Sequence, residues 1–307
     1  MIASTVPEWL RGLWRRLSIE TPDGQRDTQT QVFYLQTSSC FADLRLPFDR
    51  PDLKQASFSS FTQAEIVALS RQQGFAGITQ FEQGQCQWVR YIDYHPPQSV
   101  RDIGLLYWQN NILIEEGVDQ VYREEWHKVD NGDGDFTALV LAPDDTFGSF
   151  LDWQAGLVIA GDYFIYSHNR SVALPDAETL SDCLMTSTTL QEQQDYLGCE
   201  ISLGLCRSGR VPWEIQRSTI PWREGTALWS TSELTIDWEH KRILQTSPQG
   251  EGCRVREWQI REWGTVERLP FKQILLVLIG ESTDRAHSSS MSKPPTVFGG
   301  LQRSQRH

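Results

Sequence analysis

The 307-residue chain predicts an all-β protein of two tandem antiparallel β-barrels, each with a short helical insertion, followed by a disordered C-terminal tail. Three observations predict it. Period-two alternation of apolar and polar residues runs through most of the chain, as half-buried strands require. The connectors are short turns, which join antiparallel neighbours and leave no room for parallel crossovers. The third is a recurrence: Gly84, Trp88 and Pro96 return at one constant offset as Gly209, Trp213 and Pro221, and Trp108 and Trp126 have later counterparts in Trp238 and Trp258. The repeat is far longer than the roughly 20 to 50 residues of a solenoid unit, so it marks two similar domains. Their expected limits are residues 6–142 and 150–281, with the tail over 282–307.

The first strand, Gly12 to Glu20, puts Leu13, Arg15, Leu17 and Ile19 on one face and Trp14, Arg16, Ser18 and Glu20 on the other. Pro22-Asp-Gly24 turns the chain into strands at Gln31–Leu35 and Phe41–Leu46, the latter stopped by Pro47, which cannot donate to a ladder. Thr62-Gln-Ala-Glu65 is a capping box that starts a short helix ending near Gly74, expected to cover a barrel mouth or seal an edge. Strands resume at Phe75–Glu82, Cys86–Tyr94, Asp102–Trp108, Ile112–Glu116, Val121–Val129 and Phe136–Leu141, with turns such as Gln83-Gly84 and Gln109-Asn-Asn111 between them. The acidic run Asp130 to Asp135 reads as a solvated hairpin loop: a calcium loop needs a bidentate Glu at its twelfth position, and Leu141 stands there. Residues 142–148 form the expected linker. Beyond it come a strand pair or one bent strand at Gly156–Tyr166 and a helix-compatible stretch at Ala177–Leu197. Strands follow from Glu200 to Ile279, and then a Ser-, Arg- and Gln-rich tail too poor in large apolar residues to order itself.

Composition narrows the function classes. A net charge of −12 denies nucleic acid its usual electrostatic footprint. The longest apolar run, Ile274 to Ile279, is too short to span a bilayer, and the N-terminus lacks a secretory pattern, so the cytoplasm is the expected location. The six cysteines show no Cys-x-x-Cys spacing and read as free thiols, mostly in the core. Neither a nucleophile elbow, a phosphate-binding loop nor a His-x-x-x-His pair occurs; the histidines are scattered, and no metal or cofactor is expected.

Gly12-Leu-Trp14 is similar to the Gly-x-Trp of lipocalins and other calycin barrels, where the Trp closes one barrel end. Asp43-Leu-Arg-Leu-Pro47, Gly74-Phe-Ala-Gly77, the stretch Tyr122 to Asp130 and Gly156 to Gly161 resemble, in that order, a fungal family of tandem lipocalin-like proteins known as kinase-interacting proteins. The likeness covers roughly residues 10 to 170. It implies two calycin-like barrels and carries no chemistry to particular residues.

Candidate binding residues follow from charge on otherwise apolar faces. Arg90 shares a face with Cys86, Trp88, Ile92 and Tyr94, and a buried Arg needs a partner or a ligand anion. On the strand at 121–129, Arg123, Glu125 and His127 share one face while Tyr122, Glu124 and Trp126 share the other; Arg45 and Asp43 stand opposite Leu44 and Leu46. If Arg45, Arg90, Arg123 and Glu125 all point into the first barrel beside Trp88, they line a polar-aromatic pocket able to orient a carboxylate. The alternative is a set of outward salt-bridged pairs. The leading expectation is non-enzymatic binding of a small, partly apolar ligand, anionic among the options, in the first barrel. A structural or regulatory partner protein is the second, and catalysis with Glu125 or His127 as a base has no motif behind it.

Overall fold

The computed structural model describes residues 5–54, 57–141, 153–206, 213–230, 233–237, 239–249 and 252–264. The expected linker, the strand at 271–279, Trp238 and the tail lie outside the described residues. The first sheet comprises β1 (Gly12–Glu20), β2 (Arg26–Asp27), β3 (Gln31–Gln36), β4 (Cys40–Leu46), β5 (Gln73–Glu82), β6 (Gln85–Asp93), β7 (Ile103–Gln109), β8 (Ile112–Gly117) and β9 (Arg123–Lys128). Each strand from β3 to β9 pairs with the next in sequence, and β9 returns to β1, so eight strands close a barrel with β2 added beside β1. Closure removes the sheet edges that would otherwise invite pairing with other chains.

The second sheet holds β10 (Phe136–Leu141), β11 (Ala155–Ala160), β12 (Tyr163–His168), β13 (Glu200–Leu205), β14 (Glu214–Ser218), β15 (Leu234–Asp237), β16 (Arg242–Gln249) and β17 (Gly252–Gly264). Its order is β14-β13-β12-β11-β10-β17-β16-β15. Here β10 plays the part of β1, pairing with both β11 and β17. Sequence reading attached Phe136–Leu141 to the first barrel by chain order, and the structure places it in the second sheet. Asp130 to Asp135 is accordingly the crossing between the two sheets, in place of a hairpin loop. Its backbone is anchored on both sides: Leu13 N–H donates to Gly132 O, while Gly161 and Asp162 donate to Asp135 O and Asn131 O. Gly12, at φ +118°, passes so close to this loop that a Cβ would meet Gly132 O at 2.7 Å.

Three cores follow from the pleat. Inside the first barrel lie Trp14, Val32, Tyr34, Phe41, Phe75, Trp88, Leu106, Leu113 and Trp126. Within the second sheet, Leu139, Leu157, Phe164, Tyr166, Trp213, Ile215, Trp229, Ile243 and Trp258 pack together. Between the two, the outward residues Ala42, Leu44 and Leu46 of β4 meet Ile165 and Ile201 of β12 and β13. Strand β4 is therefore buried on both faces. Each fully buried large side chain contributes roughly 1.5 to 3 kcal/mol.

Helix α1 (Gln63–Leu69) begins at the predicted Thr62–Glu65 capping box, but Ile66 and Leu69 enter the inter-barrel core instead of covering a mouth. The single stretch expected at 177–197 forms two helices, α2 (Leu180–Thr186) and α3 (Leu190–Tyr196), each with its own capping box, at Thr179/Asp182 and Thr189/Glu192. Ser and Thr side chains compete for helical backbone groups, so the Thr186-Ser-Thr-Thr189 run ends one helix and caps the next. A carboxylate also joins the barrels: Glu262 of β17 accepts backbone N–H bonds from Ser38, Ser39 and Cys40 and the hydroxyls of Ser38 and Ser39. Burial opposes charge on Glu262, and these donors nonetheless hold its carboxyl below the ordinary range. Four of the six free cysteines, Cys40, Cys86, Cys183 and Cys199, are buried.

Candidate functional site

The first barrel encloses charge among its rings. Arg16 projects inward from β1 on the face of Trp14 and meets Glu124 Oε1 at 2.6 Å. Arg45 of β4 binds Asp43 at 2.8 Å and stands 3.6 Å from Glu124. Glu115 of β8 lies directly across the ladder from Glu124, a like-charge juxtaposition that costs stability unless protons or cations relieve it. Glu115 accepts from Tyr122 Oη at 2.7 Å and from Trp126 Nε1 at 3.1 Å. Burial first, and the Glu124 charge second, push the Glu115 carboxyl well above its ordinary pKa. Burial likewise raises Asp43, with Arg45 acting against it. Trp88 Nε1 donates to Tyr34 Oη at 3.1 Å, completing a packed polar-aromatic interior. The cavity left among these side chains measures ≈ 20 Å³, room for about one water and no larger ligand.

The usable space lies at the mouth. Strand β6 pairs with β7 through Gln85–Gln87, Trp88 N–H adds one more bond to Asp102 O at 2.9 Å, and no pairing follows beyond it. Beyond that point a bulge opposite Ala76 and Gly77 leaves Tyr91 as an extra residue in β6. Only Gly fits at 77, because a Cβ would lie 1.9 Å from Val89 O. The bulge also changes which side chains go where. Cys86, Trp88 and Arg90 belong to the first barrel, whereas Ile92 and Tyr94, predicted on the same face, turn into the inter-barrel core.

Arg90 closes the opening. Its guanidinium lies 3.6 Å above the Phe75 ring and bonds Asp102 at 2.5 Å and Asp93 at 2.9 Å. Outside it is a cleft of ≈ 420 Å³, whose lining includes Tyr91, Val100, Arg101, Ile103, Tyr122 and Arg170. Such a volume falls in the range of small-molecule sites. His95, on the rim, is held below its ordinary pKa chiefly by burial, so it adds no cation near neutral pH.

Of the predicted residues, Arg45, Arg90 and Trp88 come together around the barrel opening. Arg123 and Glu125 do not: they face outward, paired with each other at 2.7 Å, and Glu125 also takes Arg26 at 2.8 Å. The physical reason is the ring on the opposite face. Trp126 and Leu113 fill the interior as cross-strand neighbours, so the face of β9 carrying Tyr122, Glu124 and Trp126 is the inner one. Arg16, Glu115, Glu124 and Asp102 were missed, although a charge two residues from an inward Trp on an alternating strand was a legible signal for Arg16 and Glu124. Arg170 lies in a loop, where alternation says nothing.

This strand order defines the class: an eight-stranded up-and-down antiparallel barrel of lipocalin-like architecture, joined to a second sheet that repeats its order. Among solved structures the chain is similar to an uncharacterized protein from Saccharomyces cerevisiae, at 11% identity over 83% of this chain and 99% of that one, with TM-score 0.47. It is also similar to a lipocalin-like protein from Bacteroides uniformis, at 13% identity over 39% of this chain and 98% of that one, with TM-score 0.26. No family model and no curated protein matches the chain, so the resemblance to fungal kinase-interacting proteins stands on its motifs alone. No helix among the described residues is long and apolar enough to cross a membrane.

Proposed function

We propose that this protein binds, without catalysis, a small and partly apolar ligand at the mouth of its first barrel. One observation carries the reading: a cleft of ≈ 420 Å³ opens where β6 leaves β7, with the guanidinium of Arg90 as its floor and Tyr91, Val100 and Tyr122 among its walls. The interior cavity of ≈ 20 Å³ argues against a ligand deeper in the barrel. Native mass spectrometry of gently purified protein tests the reading. A retained small-molecule mass that disappears in Val100→Trp, a variant that fills the cleft, is expected. A cleft that takes up no small molecule from the cell and binds no amphipathic dye saturably rules it out.

A second reading, a regulatory contact with an apolar segment of a protein partner, is favoured by the rim. Val100, Val118 and Val121 are 45%, 46% and 75% exposed there. Under this reading Val121→Asp loses the partner, and the parent protein carries no small-molecule mass for Val100→Trp to remove.

A further inference from the structure

Three arginines line the mouth cleft, and two of them already have carboxylates. Arg90 holds Asp102 and Asp93, and Arg101 holds Asp119 through two bonds of 2.8 and 2.9 Å. Arg170, just after β12, differs. Its Nε donates to Tyr196 O at 3.2 Å, its Nη1 to Asp93 O at 3.3 Å and its Nη2 to Tyr94 O at 2.6 Å. No carboxylate lies within ion-pair distance of it among the described residues. Backbone carbonyls from the end of β6 and from helix α3 therefore clamp the guanidinium in one orientation without neutralising it. A guanidinium has five N–H donors, and these three bonds leave one on each terminal nitrogen.

The position of Arg170 is as unusual as its pairing. It lines the mouth cleft and also a second groove of ≈ 670 Å³ that runs along Pro96, Pro97 and residues 171–177. The two hollows share Pro97, Asn169 and Arg170. A half-buried, rigidly held cation with spare donors at the junction of two hollows is a preorganised oxyanion site, because the ordering cost has been met before any ligand arrives. Of the carboxylates lining the two hollows, Asp93 is taken up by Arg90 and by the backbone N–H of His95 and Asp102 by Arg90, while Asp176 lines the groove outside ion-pair distance of Arg170.

We propose that Arg170 is the anion anchor of the ligand site, so that the ligand is an elongated organic acid whose oxyanion sits between cleft and groove and touches both barrels. The inference rests on the mouth cleft being the ligand site. Its apolar body lies against Tyr91, Val100 and Tyr122, and the rest follows the groove toward Leu174 and Pro175. Carboxylate and phosphomonoester share this chemistry.

The full chain titrated with two dyes of one ring system, 8-anilinonaphthalene-1-sulfonate and the uncharged N-phenyl-1-naphthylamine, provides the test. Arg170→Gln is expected to weaken the sulfonate dye about tenfold or more, as loss of a charge-assisted bond does, and to change the uncharged dye less than about twofold. Because Arg170 also ties three carbonyls, Ser171→Glu supplies an independent arm. This exposed neighbour makes none of those bonds, and its negative charge is expected to repel the sulfonate dye several-fold with the melting temperature unchanged. Competition by 1-naphthaleneacetate against 1-naphthyl phosphate then tells which oxyanion fits. Sulfonate binding that Val100→Trp removes while Arg170→Gln and Ser171→Glu leave it intact overturns the anchor alone. Failure of both dyes to bind saturably overturns the cleft reading and the anchor with it.

Discussion

The two barrels bury different chemistry at the same ladder positions. In the first, Leu113 faces Trp126 and the next inward pair is Glu115 opposite Glu124; in the second, Ile243 faces Trp258 and the corresponding pair is Gln245 opposite Arg256. The Trp ring makes the same bond in each: Trp126 Nε1 to Glu115 and Trp258 Nε1 to Gln245, both at 3.1 Å. Asp43 stands opposite Tyr34, where the second sheet has Tyr166 opposite Leu157. The architecture thus needs a Trp, a large aliphatic partner and an acceptor for the indole N–H, and it does not need two buried carboxylates. Their presence in the first barrel is an added cost, of the kind that proteins keep at sites. The seam of that barrel also opens on a cleft.

If the first interior depends on charge pairing and the second on packing, they should fail differently. The largest effect is expected from Arg16→Met, which leaves buried Glu124 with only the longer Arg45 contact. Uncompensating a buried ion costs about 3 to 5 kcal/mol in urea unfolding. The double variant Arg16→Met/Glu124→Leu removes both charges and should recover most of that loss. A double variant no more stable than the single one breaks the pairing account.

Next comes Ile215→Ala in the second barrel. Ile215 is completely buried beside Trp213, and truncation should cost about 2 to 4 kcal/mol without changing dye affinity. Its counterpart before the matching proline is Arg90. Arg90→Ala should cost less stability, since that side chain is partly exposed, yet weaken an anionic dye by freeing Asp102 and Asp93 at the cleft floor. Equal losses of affinity in the two variants would erase the distinction between a packing barrel and a binding one.

A smaller effect, with a definite sign in pH, belongs to Glu115. Its raised carboxyl pKa means that the folded state holds a proton the unfolded chain releases near pH 4.3. The stabilisation is complete below that pH and is lost as pH rises through the higher folded value, by up to about 1.4 kcal/mol per pH unit. Glu115→Gln copies the second barrel and keeps an acceptor for Trp126. Relative to the parent it should be equally stable at pH 4 and more stable at pH 7 to 8. Asp43, also raised by burial, keeps its own slope in both proteins. Chemical unfolding across that range checks the difference curve, and parallel curves would mean that Glu115 stays ionised in the fold.

Much of this architecture was legible from alternation and turns, and the failures have local causes. Asp43 and Arg45 separate from Leu44 and Leu46 as the pleat dictates, and Gln83-Gly84 and Asn110-Asn111 turn with positive φ, as tight hairpins require. Alternation alone could not say which face is inside once both faces are buried, as on β4, or when a bulge resets the count, as at Tyr91. It also could not show that six residues, Asp130 to Asp135, carry the chain from one sheet to the other, because a crossing of that length looks like a hairpin. Arg170 depends on carbonyls brought together only by the contact of the two barrels, and no local pattern encodes that.

The smallest expected effect concerns Arg123, which the sequence made a candidate for the first barrel's pocket, with an outward salt bridge as the alternative, and whose counterpart, aligned on Trp126 and Trp258, is Val255. Both positions face out: the Arg123 side chain is 32% exposed and Val255 is 58% exposed. An outward ion pair such as Arg123 with Glu125 contributes about 0.2 to 1 kcal/mol, because solvent and salt screen it and two long side chains must be ordered to make it. Valine at the same place regains part of this through its preference for the pleated backbone. Glu125 is not orphaned by the change, since Arg26 and Ser18 still bind it. Arg123→Val should therefore shift unfolding by less than about 0.5 kcal/mol and leave the affinity of both dyes untouched. A loss above about 2 kcal/mol, or a weaker sulfonate dye, would return Arg123 to the site and make the two barrels differ on their outer faces as well as their inner ones.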